Sequence, residues 1–152
     1  MTALAEEYRV QTLQKGLEFR YVPCSQTVAT DRQLLGRVLR NLLANAVRYT
    51  AAGRVLVGCR RDRSGLRIEV WDTGPGIPSE EQEAIFVAFH RVVAATPPAE
   101  PDGGLGLGLA TVSRLAALLD FTVAVRSTLG KGSAFSVVVP TPACHRRQPT
   151  AA

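Results

Sequence analysis

The sequence DRQLLGRVLRNLLANAVRYT, from Asp31 to Thr50, decides the fold of this chain. Its apolar residues recur at positions i, i+3, i+4 and i+7, which is the spacing of a helix that lies on a hydrophobic core. Thr30 and Gln33 form a capping-box pattern at the start of the stretch. We therefore predict an amphipathic helix that begins after a Thr30 cap and has one buried face. The residues of that face are Leu34, Leu35, Val38, Leu39, Leu42, Leu43, Ala46 and Val47.

Three polar residues follow the edge of that apolar face. At about 100° per residue, Asn41 and Asn45 lie one above the other, one helical turn apart, and Arg48 continues the same edge. Polar side chains at the margin of a core cost desolvation free energy unless a polar group meets them. Backbone groups could satisfy them, as is common for Asn at the rim of a helix. A ligand could do so as well, since an Asn oxygen suits a magnesium ion that takes its other oxygens from water and phosphates.

Length and composition favour a single intracellular domain. The chain has 152 residues, enough to bury a core without disulfides. It contains no apolar run near the roughly 18 residues of a membrane span and no signal-peptide pattern at its start. We therefore expect a cytoplasmic protein, and leave open whether a longer parent is anchored in a membrane. The cysteines Cys24, Cys59 and Cys144 are odd in number and far apart, which argues against a disulfide framework or a zinc site.

The charge pattern does not favour nucleic acid as a partner. The formal net charge is +5, but the arginines are scattered along the chain without interleaved aromatic residues. We interpret this as a mildly basic surface that helps to hold a polyanionic ligand.

The remaining patterns predict an α+β two-layer sandwich, with three helices on one face of a mixed sheet of about five strands. Besides the central helix, Ser79 and Gln82 form a second capping-box pattern, and a third helix is expected from about Gly106 to Leu119. A short strand is expected near Val28. The other strands are predicted at residues 17–22, 54–60, 66–72, 121–126 and 133–139.

The same patterns divide the chain into three parts. Residues 1–16 are polar with a loose helical pattern, and we assign them to the remnant of an upstream segment. Residues 17–140 form the domain, and residues 141–152 have no apolar pattern and are expected to be disordered.

A glycine-rich turn with the sequence DTGPGI follows one strand directly, from Asp72 to Ile77. Glycines there let a flat ligand approach the backbone, and the Asp72 carboxylate can accept a hydrogen bond from an exocyclic amino group such as that of adenine. A plain Asx turn would give the same short pattern. Aspartic proteases also carry Asp-Thr-Gly, but this chain lacks a second copy, so its carboxylates could pair only in a dimer.

A second glycine-rich segment, GGLGLGL from Gly103 to Leu109, leads into the third helix. Backbone N–H groups at a helix N-terminus bind anions, and glycines let phosphate oxygens come close. It is not a dinucleotide fingerprint, because Leu109 stands where a third glycine is needed. The proline-rich loop at residues 94–103 precedes it directly, where a mobile lid would be useful.

Together these motifs resemble the catalytic ATP-binding domain of sensor histidine kinases, within the wider GHKL group. The resemblance lies in five segments in order, NLLANAVRYT, DTGPGI, IFVAFHR, GGLGLGLATV and GKGSAFSVVVP. It implies the Bergerat fold, in which ATP and Mg²⁺ are held between the helical layer and a flexible lid.

The resemblance also implies roles for individual residues. Asn45 would be the magnesium ligand and Asn41 its polar partner, while Arg48 would reach the phosphates. Tyr49 would lie against the adenine, and Asp72 would accept its amino group. The other residues implied to bind or enclose the nucleotide are Gly74, Gly76, Ile77, Phe89, Gly104, Leu105, Gly106, Leu107, Gly108 and Leu109, with Phe86 as a second lid anchor.

One position separates the branches of the group. The family's ATPases have a Glu where this chain has Asn41, and a carboxamide is not a useful general base at neutral pH. The resemblance therefore implies a kinase that transfers the γ-phosphoryl group to a histidine of a separate dimerisation domain, with a response regulator downstream. Neither His90 nor His145 has the context of a phosphoacceptor. We expect the isolated domain to be monomeric. A non-catalytic nucleotide-binding module and an anti-sigma-type serine kinase are the alternatives.

Overall fold

The computed structural model describes residues 1–90, 92 and 106–141. Among them are three α-helices, five strands and two short 3₁₀ turns. The predicted central helix is confirmed, from Arg32 to Tyr49. The helices are α1 (Thr2–Gln14), α2 (Arg32–Tyr49) and α3 (Gly108–Leu118), the strands are β1 (Glu18–Val22), β2 (Arg54–Asp62), β3 (Gly65–Asp72), β4 (Thr122–Thr128) and β5 (Gly132–Pro140), and the 3₁₀ turns are Ser79–Glu81 and Ala84–Phe86.

The strands form one mixed sheet in the order β1-β2-β3-β5-β4. β1 runs parallel to β2, and the other neighbours are antiparallel. Alternate residues of each strand, such as Leu66, Ile68 and Val70 of β3, belong to one core that also contains side chains of all three helices. The helices therefore cover one face of the sheet, and the predicted α+β class is confirmed. None of the described helices is long and apolar enough to cross a membrane.

Three local predictions were wrong. The cap of α2 is Asp31 rather than Thr30. The Asp31 carboxylate accepts hydrogen bonds from the backbone N–H groups of Gln33 and Leu34, at 2.8 and 2.9 Å. A carboxylate is favoured there by the partial positive charge of the helix N-terminus. Val28 packs against the core without belonging to a strand. Gln82 does not cap a helix, because its Nε2 atom donates to the carbonyl oxygens of Ile77 and Ser127 instead.

Residues 1–16 contain α1 (Thr2–Gln14), which packs against the rest of the domain. The assignment of these residues to an upstream segment stays a prediction. The Tyr8 hydroxyl of α1 donates to the Arg40 carbonyl oxygen of α2 at 3.0 Å. The Lys15 ammonium donates to the carbonyl oxygens of Val47 and Arg48, at 2.6 and 2.9 Å. These carbonyls belong to the last turn of α2, where no intrahelical donor is available. Lys15 therefore fastens the end of the helix that carries the predicted polar edge.

We expect Lys15→Met to lower the free energy of unfolding by about 1 kcal/mol, because it removes a cation and two hydrogen bonds from the C-terminus of α2. Urea denaturation followed by circular dichroism would measure the change. Lys131, the only other lysine, lies in the β4–β5 turn and is exposed. Lys131→Met should leave the midpoint within experimental error, and equal midpoints for all three proteins would contradict the capping role of Lys15.

Candidate functional site

A cavity of about 420 Å³ lies between α2, the turn after β3 and the N-terminus of α3. Most of the predicted site residues line it, although they come from three separate segments of the chain. The structure thus brings together the polar edge of α2 and both glycine-rich segments. The predicted residues that line the cavity are Asn41, Asn45, Arg48, Tyr49, Asp72, Gly76, Ile77, Gly106, Leu107, Gly108 and Leu109.

Three predicted residues do not line the cavity, namely Gly74, Phe86 and Phe89, and Phe86 packs against the hydrophobic core. The Gly74 backbone N–H donates to Asp72 Oδ1 at 2.9 Å, and a Cβ atom added at Gly74 would lie 2.9 Å from the Tyr49 carbonyl oxygen. Gly74 therefore allows the turn to pass close to α2. The Phe89 side chain is 71% exposed. Its backbone N–H donates to the Gly106 carbonyl oxygen at 3.1 Å, so Phe89 contacts the second glycine segment through its backbone. Gly104, Leu105 and the predicted lid lie outside the described residues.

The two asparagines face the first residue of α3. A Cβ atom added at Gly108 would lie 3.3 Å from Asn41 Oδ1 and 3.8 Å from Asn45 Oδ1. The Asn41 amide also donates to the Arg37 carbonyl oxygen at 2.9 Å. Within the part of the chain that the structure describes, the Asn45 side chain has no hydrogen-bond partner. Asn41 thus matches the backbone-satisfied alternative, and Asn45 is the one whose side chain is available to a ligand.

The first turn of α3 is also available to an anion. Leu107 occupies the N-cap position and provides no side-chain hydrogen bond to the N–H groups that follow. These groups carry the partial positive charge of the helix N-terminus. Gly106, with φ of 69°, turns the chain into this helix while accepting the hydrogen bond from Phe89. The segment therefore offers backbone N–H groups next to Asn45 from which an anion could accept hydrogen bonds.

Arg48 adds a positive charge to the wall of the cavity. Its guanidinium lies 6.0 Å from the centre of the Tyr49 ring, within the range of a cation–π contact. No acidic side chain among residues 1–90, 92 and 106–141 pairs with it. The Tyr49 ring is 43% exposed, so it borders the mouth of the cavity rather than its interior.

Asp72 supplies a half-buried carboxyl group to the wall of the cavity. Burial raises its pKa above the ordinary value, and hydrogen bonds from the backbone N–H groups of Gly74 and Ser133 oppose this shift only in part. None of the cations in the described part of the chain forms an ion pair with it. A half-buried carboxylate that forms no ion pair is a strong acceptor for a polar N–H group of a ligand.

The turn that carries Asp72 is fastened to the β4–β5 hairpin. The Gly130 backbone N–H donates to the Pro75 carbonyl oxygen at 2.8 Å. Gly76 has φ of 75°, and an added Cβ atom would clash with the Thr128 carbonyl oxygen, so only glycine allows this close approach. The β4–β5 hairpin therefore supports the turn on the side opposite the cavity.

Several wall residues were missed by the sequence analysis. His90 lines the cavity, and its Nε2 atom lies 2.5 Å from Glu81 Oε2. The position of His90 in FHR, beside the lid anchors, was the available signal. Phe135 could have been found from the inward face of its strand, since it alternates with Ser133 and Val137 along β5. The other missed residues of the wall are Ala44, Pro75, Ile85 and Val92.

Comparison with known proteins gives a consistent result. A family model described as histidine kinase-, DNA gyrase B-, and HSP90-like ATPase matches residues 30–143. The aerobic respiration control sensor protein ArcB of Escherichia coli is 38% identical over 88% of this chain. The sensor-like histidine kinase SenX3 of Mycobacterium tuberculosis is 42% identical over 78% of it. The chain spans only 18% of ArcB and 28% of SenX3.

A solved structure shows the same architecture. Full-length ShkA in complex with AMPPNP superposes with a TM-score of 0.77 and 34% sequence identity, and the match covers 91% of this chain and 28% of ShkA. The match therefore extends over nearly the whole chain.

Proposed function

The chain belongs to the family of histidine kinase-, DNA gyrase B- and HSP90-like ATPases, and we propose that it binds Mg-ATP and donates the γ-phosphoryl group to a histidine of a separate phosphoacceptor domain. Its sequence and fold are those of the ATP-binding catalytic domain of sensor histidine kinases. Since it spans a minor part of its relatives, the phosphoacceptor histidine and the downstream response regulator are partners that we infer from this membership.

One observation carries the proposal. The half-buried Asp72 carboxyl lies in the wall of the same 420 Å³ cavity as the Asn45 amide, which has no hydrogen-bond partner among the described residues and lies beside a helix N-terminus. The first suits a base with an exocyclic amino group, and the second suits the phosphates and their metal ion. This combination fits a purine nucleoside triphosphate and matches the volume range of small-molecule sites.

Each residue then has a distinct role in holding the substrate. Asp72 accepts the hydrogen bond of the adenine amino group, and Arg48 attracts the phosphates by its charge. The oxygen of Asn45 is a suitable ligand for Mg²⁺, which would neutralise charge on the phosphate oxygens. The N-terminus of α3 donates N–H groups to the same oxygens. Phosphoryl transfer needs positioning and charge neutralisation more than covalent chemistry, so these contacts suffice on the donor side.

Asn41 favours transfer over hydrolysis. An amide that donates to the Arg37 carbonyl oxygen cannot take a proton from water. We infer that ATP persists in the site until an acceptor imidazole arrives. His90 is engaged with Glu81, and this interaction supports a structural role for it rather than that of acceptor.

Calorimetric titration with ATP, in magnesium and in EDTA, tests the binding half of the proposal, with GTP as the matched control. We expect selective ATP binding that is stronger with magnesium, together with very slow release of phosphate. The transfer half requires ATP labelled in the γ position and a purified histidine phosphoacceptor domain such as that of SenX3. Label on this domain, absent from its His→Ala variant, is the expected result. No ATP binding at all would contradict the proposal and leave an interaction module.

A further inference from the structure

Ser127 of β4 connects two backbone segments that meet behind the cavity. Its hydroxyl accepts a hydrogen bond from the Ile77 backbone N–H at 2.8 Å and donates to the Gly132 carbonyl oxygen at 2.8 Å. The Ser133 hydroxyl lies 2.9 Å away. A serine hydroxyl has one proton, so when Ser127 donates to Gly132 the proton between the two serines belongs to Ser133. All the hydrogen-bonding capacity of the Ser127 hydroxyl is then used.

Both backbone groups of Ile77 are held from the same side. Its N–H donates to the Ser127 hydroxyl, and its carbonyl oxygen accepts from Gln82 Nε2 at 3.1 Å. The same Gln82 amide donates to the Ser127 carbonyl oxygen at 3.0 Å. Ile77 is therefore tied to β4 through one direct and one bridged connection.

The network reaches Asp72 through Ser133. These two residues are register partners in the β3–β5 pair, and the Ser133 backbone N–H is one of the groups that lower the pKa of the Asp72 carboxyl against the effect of burial. Ile77, Asp72 and Ser133 all line the cavity, whereas Ser127 does not. Any effect of Ser127 on a bound nucleotide must therefore pass through these three residues.

We propose that Ser127 is a positioning residue for base recognition: its hydroxyl holds Ile77 and Ser133 at the separation in which the base fits between the Ile77 side chain and the Asp72 carboxyl. This inference rests on the proposed nucleotide-binding function and adds a residue that determines its selectivity. The Ser127 hydroxyl acts on the part of the cavity wall that contains Ile77, Ser133 and Asp72, where we propose that the base binds. It makes no contact with Asn45, Arg48 or the N-terminus of α3, so it affects the base and leaves the phosphates alone.

Ser127→Ala removes the acceptor of the Ile77 N–H and leaves a half-buried donor without a protein partner. The Gly130–Pro75 hydrogen bond and the β4–β5 pairing remain, so the fold is retained. We expect ATP to bind about tenfold more weakly, which corresponds to the loss of one such hydrogen bond. The preference for ATP over GTP should fall by a similar factor, while the ratio of affinities with and without magnesium stays at the parental value.

Calorimetry with ATP and GTP on Ser127→Ala, Ser127→Thr and Ser64→Ala would test this role. Threonine keeps the hydroxyl and should restore the selectivity. Ser64 is a matched control, because its hydroxyl donates to Asp62 Oδ1 at 2.7 Å in the β2–β3 turn, at the opposite end of β3 from Asp72. Gln82→Ala removes the bridged connection and should change the selectivity in the same direction by a smaller factor.

The outcomes separate the two inferences. Parental selectivity in a folded Ser127→Ala protein, or an equal loss of ATP and GTP affinity, would overturn the role of Ser127 and leave the proposed function in place. Absence of ATP binding in the parent itself would remove both. Hydrogen exchange gives a readout that a general loss of stability would not produce: in Ser127→Ala the Ile77 amide should exchange faster while the Gly74 amide keeps its parental rate.

Discussion

Asn45→Ala should abolish the magnesium dependence of ATP binding while leaving the domain folded. The side chain has no hydrogen-bond partner among the described residues, so truncation breaks no hydrogen bond within that part of the protein. Alanine also favours helix more than asparagine does, so α2 is not weakened. The substitution should therefore reduce only the affinity for Mg-ATP, because it removes the side-chain oxygen that we propose as a magnesium ligand.

The expected effect is large. Loss of an outer-shell partner of a metal ligand costs about 10- to 100-fold in metal affinity or activity, so loss of the ligand itself should cost at least about 100-fold. Calorimetric titration with ATP in magnesium and in EDTA would measure it. The variant should give the same weak affinity in both buffers. Gln33→Ala, an exposed change in the first turn of the same helix, should behave as the parent.

Magnesium-dependent binding that survives in Asn45→Ala would remove this residue from its proposed role. Thermal unfolding of the two proteins without nucleotide is the necessary control. A variant that unfolds at a much lower temperature than Gln33→Ala would show that Asn45 supports the fold, although its side chain has no hydrogen-bond partner among the described residues.

Asp72→Asn should weaken ATP binding by roughly 10- to 100-fold, which corresponds to the 1.5–3 kcal/mol of a hydrogen bond to a charged group. The affinity for GTP should not fall, since guanine presents a carbonyl oxygen where adenine has its amino group, and an amide can donate to it. Calorimetric titration with both nucleotides gives the ratio directly. An unchanged ratio of ATP to GTP affinity would contradict the assignment of Asp72 to the base.

The same substitution should stabilise the domain when no nucleotide is present. Burial raises the pKa of Asp72, so the native state binds this proton more tightly than the unfolded chain does. Stability from this group therefore increases as the pH falls from the raised pKa towards the ordinary value of about 3.9, and is lost as the pH rises. Asp72→Asn should be more stable than the parent at neutral pH, with a difference that shrinks on acidification.

Asp62→Asn provides a control of opposite sign. Hydrogen bonds from Ser64 and then from Arg67 hold the pKa of Asp62 well below its usual range, so its carboxylate stabilises the native state at neutral pH. Asp62→Asn should therefore lower the midpoint of urea unfolding at pH 7, and the loss should disappear in acid. If both substitutions shifted the midpoint in the same direction, burial could not be the dominant influence on Asp72.

Sequence reasoning was most accurate where one segment contained all the relevant information. The spacing of apolar residues predicted α2 and placed Asn41 and Asn45 on one edge, because helical geometry relates them directly. The glycines of both turns were predicted to let a ligand approach the backbone, and this stays a prediction; the contacts of Gly76 and Gly108 show only that neighbouring protein atoms come close there. The proposed roles of these residues in binding nucleotide remain predictions.

The features that were missed depend on partners far away in the sequence. Gln82 looked like a helix cap because Ser79 stands three residues before it, but its amide finds two carbonyl oxygens, one of them in β4. The hydrogen bond between Ile77 and Ser127 joins residues 50 positions apart, and no local pattern marks either of them. Asp31 was passed over as a cap because only the Thr30 pattern satisfied the capping-box rule.

The strand order also has a consequence for how the domain folds. β2–β3 and β4–β5 are hairpins with short turns, whereas β3–β5 joins strands that are separated in the chain by the whole of α3 and β4. Closing such a loop costs more chain entropy than closing a hairpin, so the pairing of β3 with β5 is expected to form late. Asp72 and Ser133 are register partners in this pair of strands. The part of the cavity wall that contains Asp72 therefore forms only when β3 and β5 pair, and the nucleotide that we propose to bind there would slow the separation of these two strands.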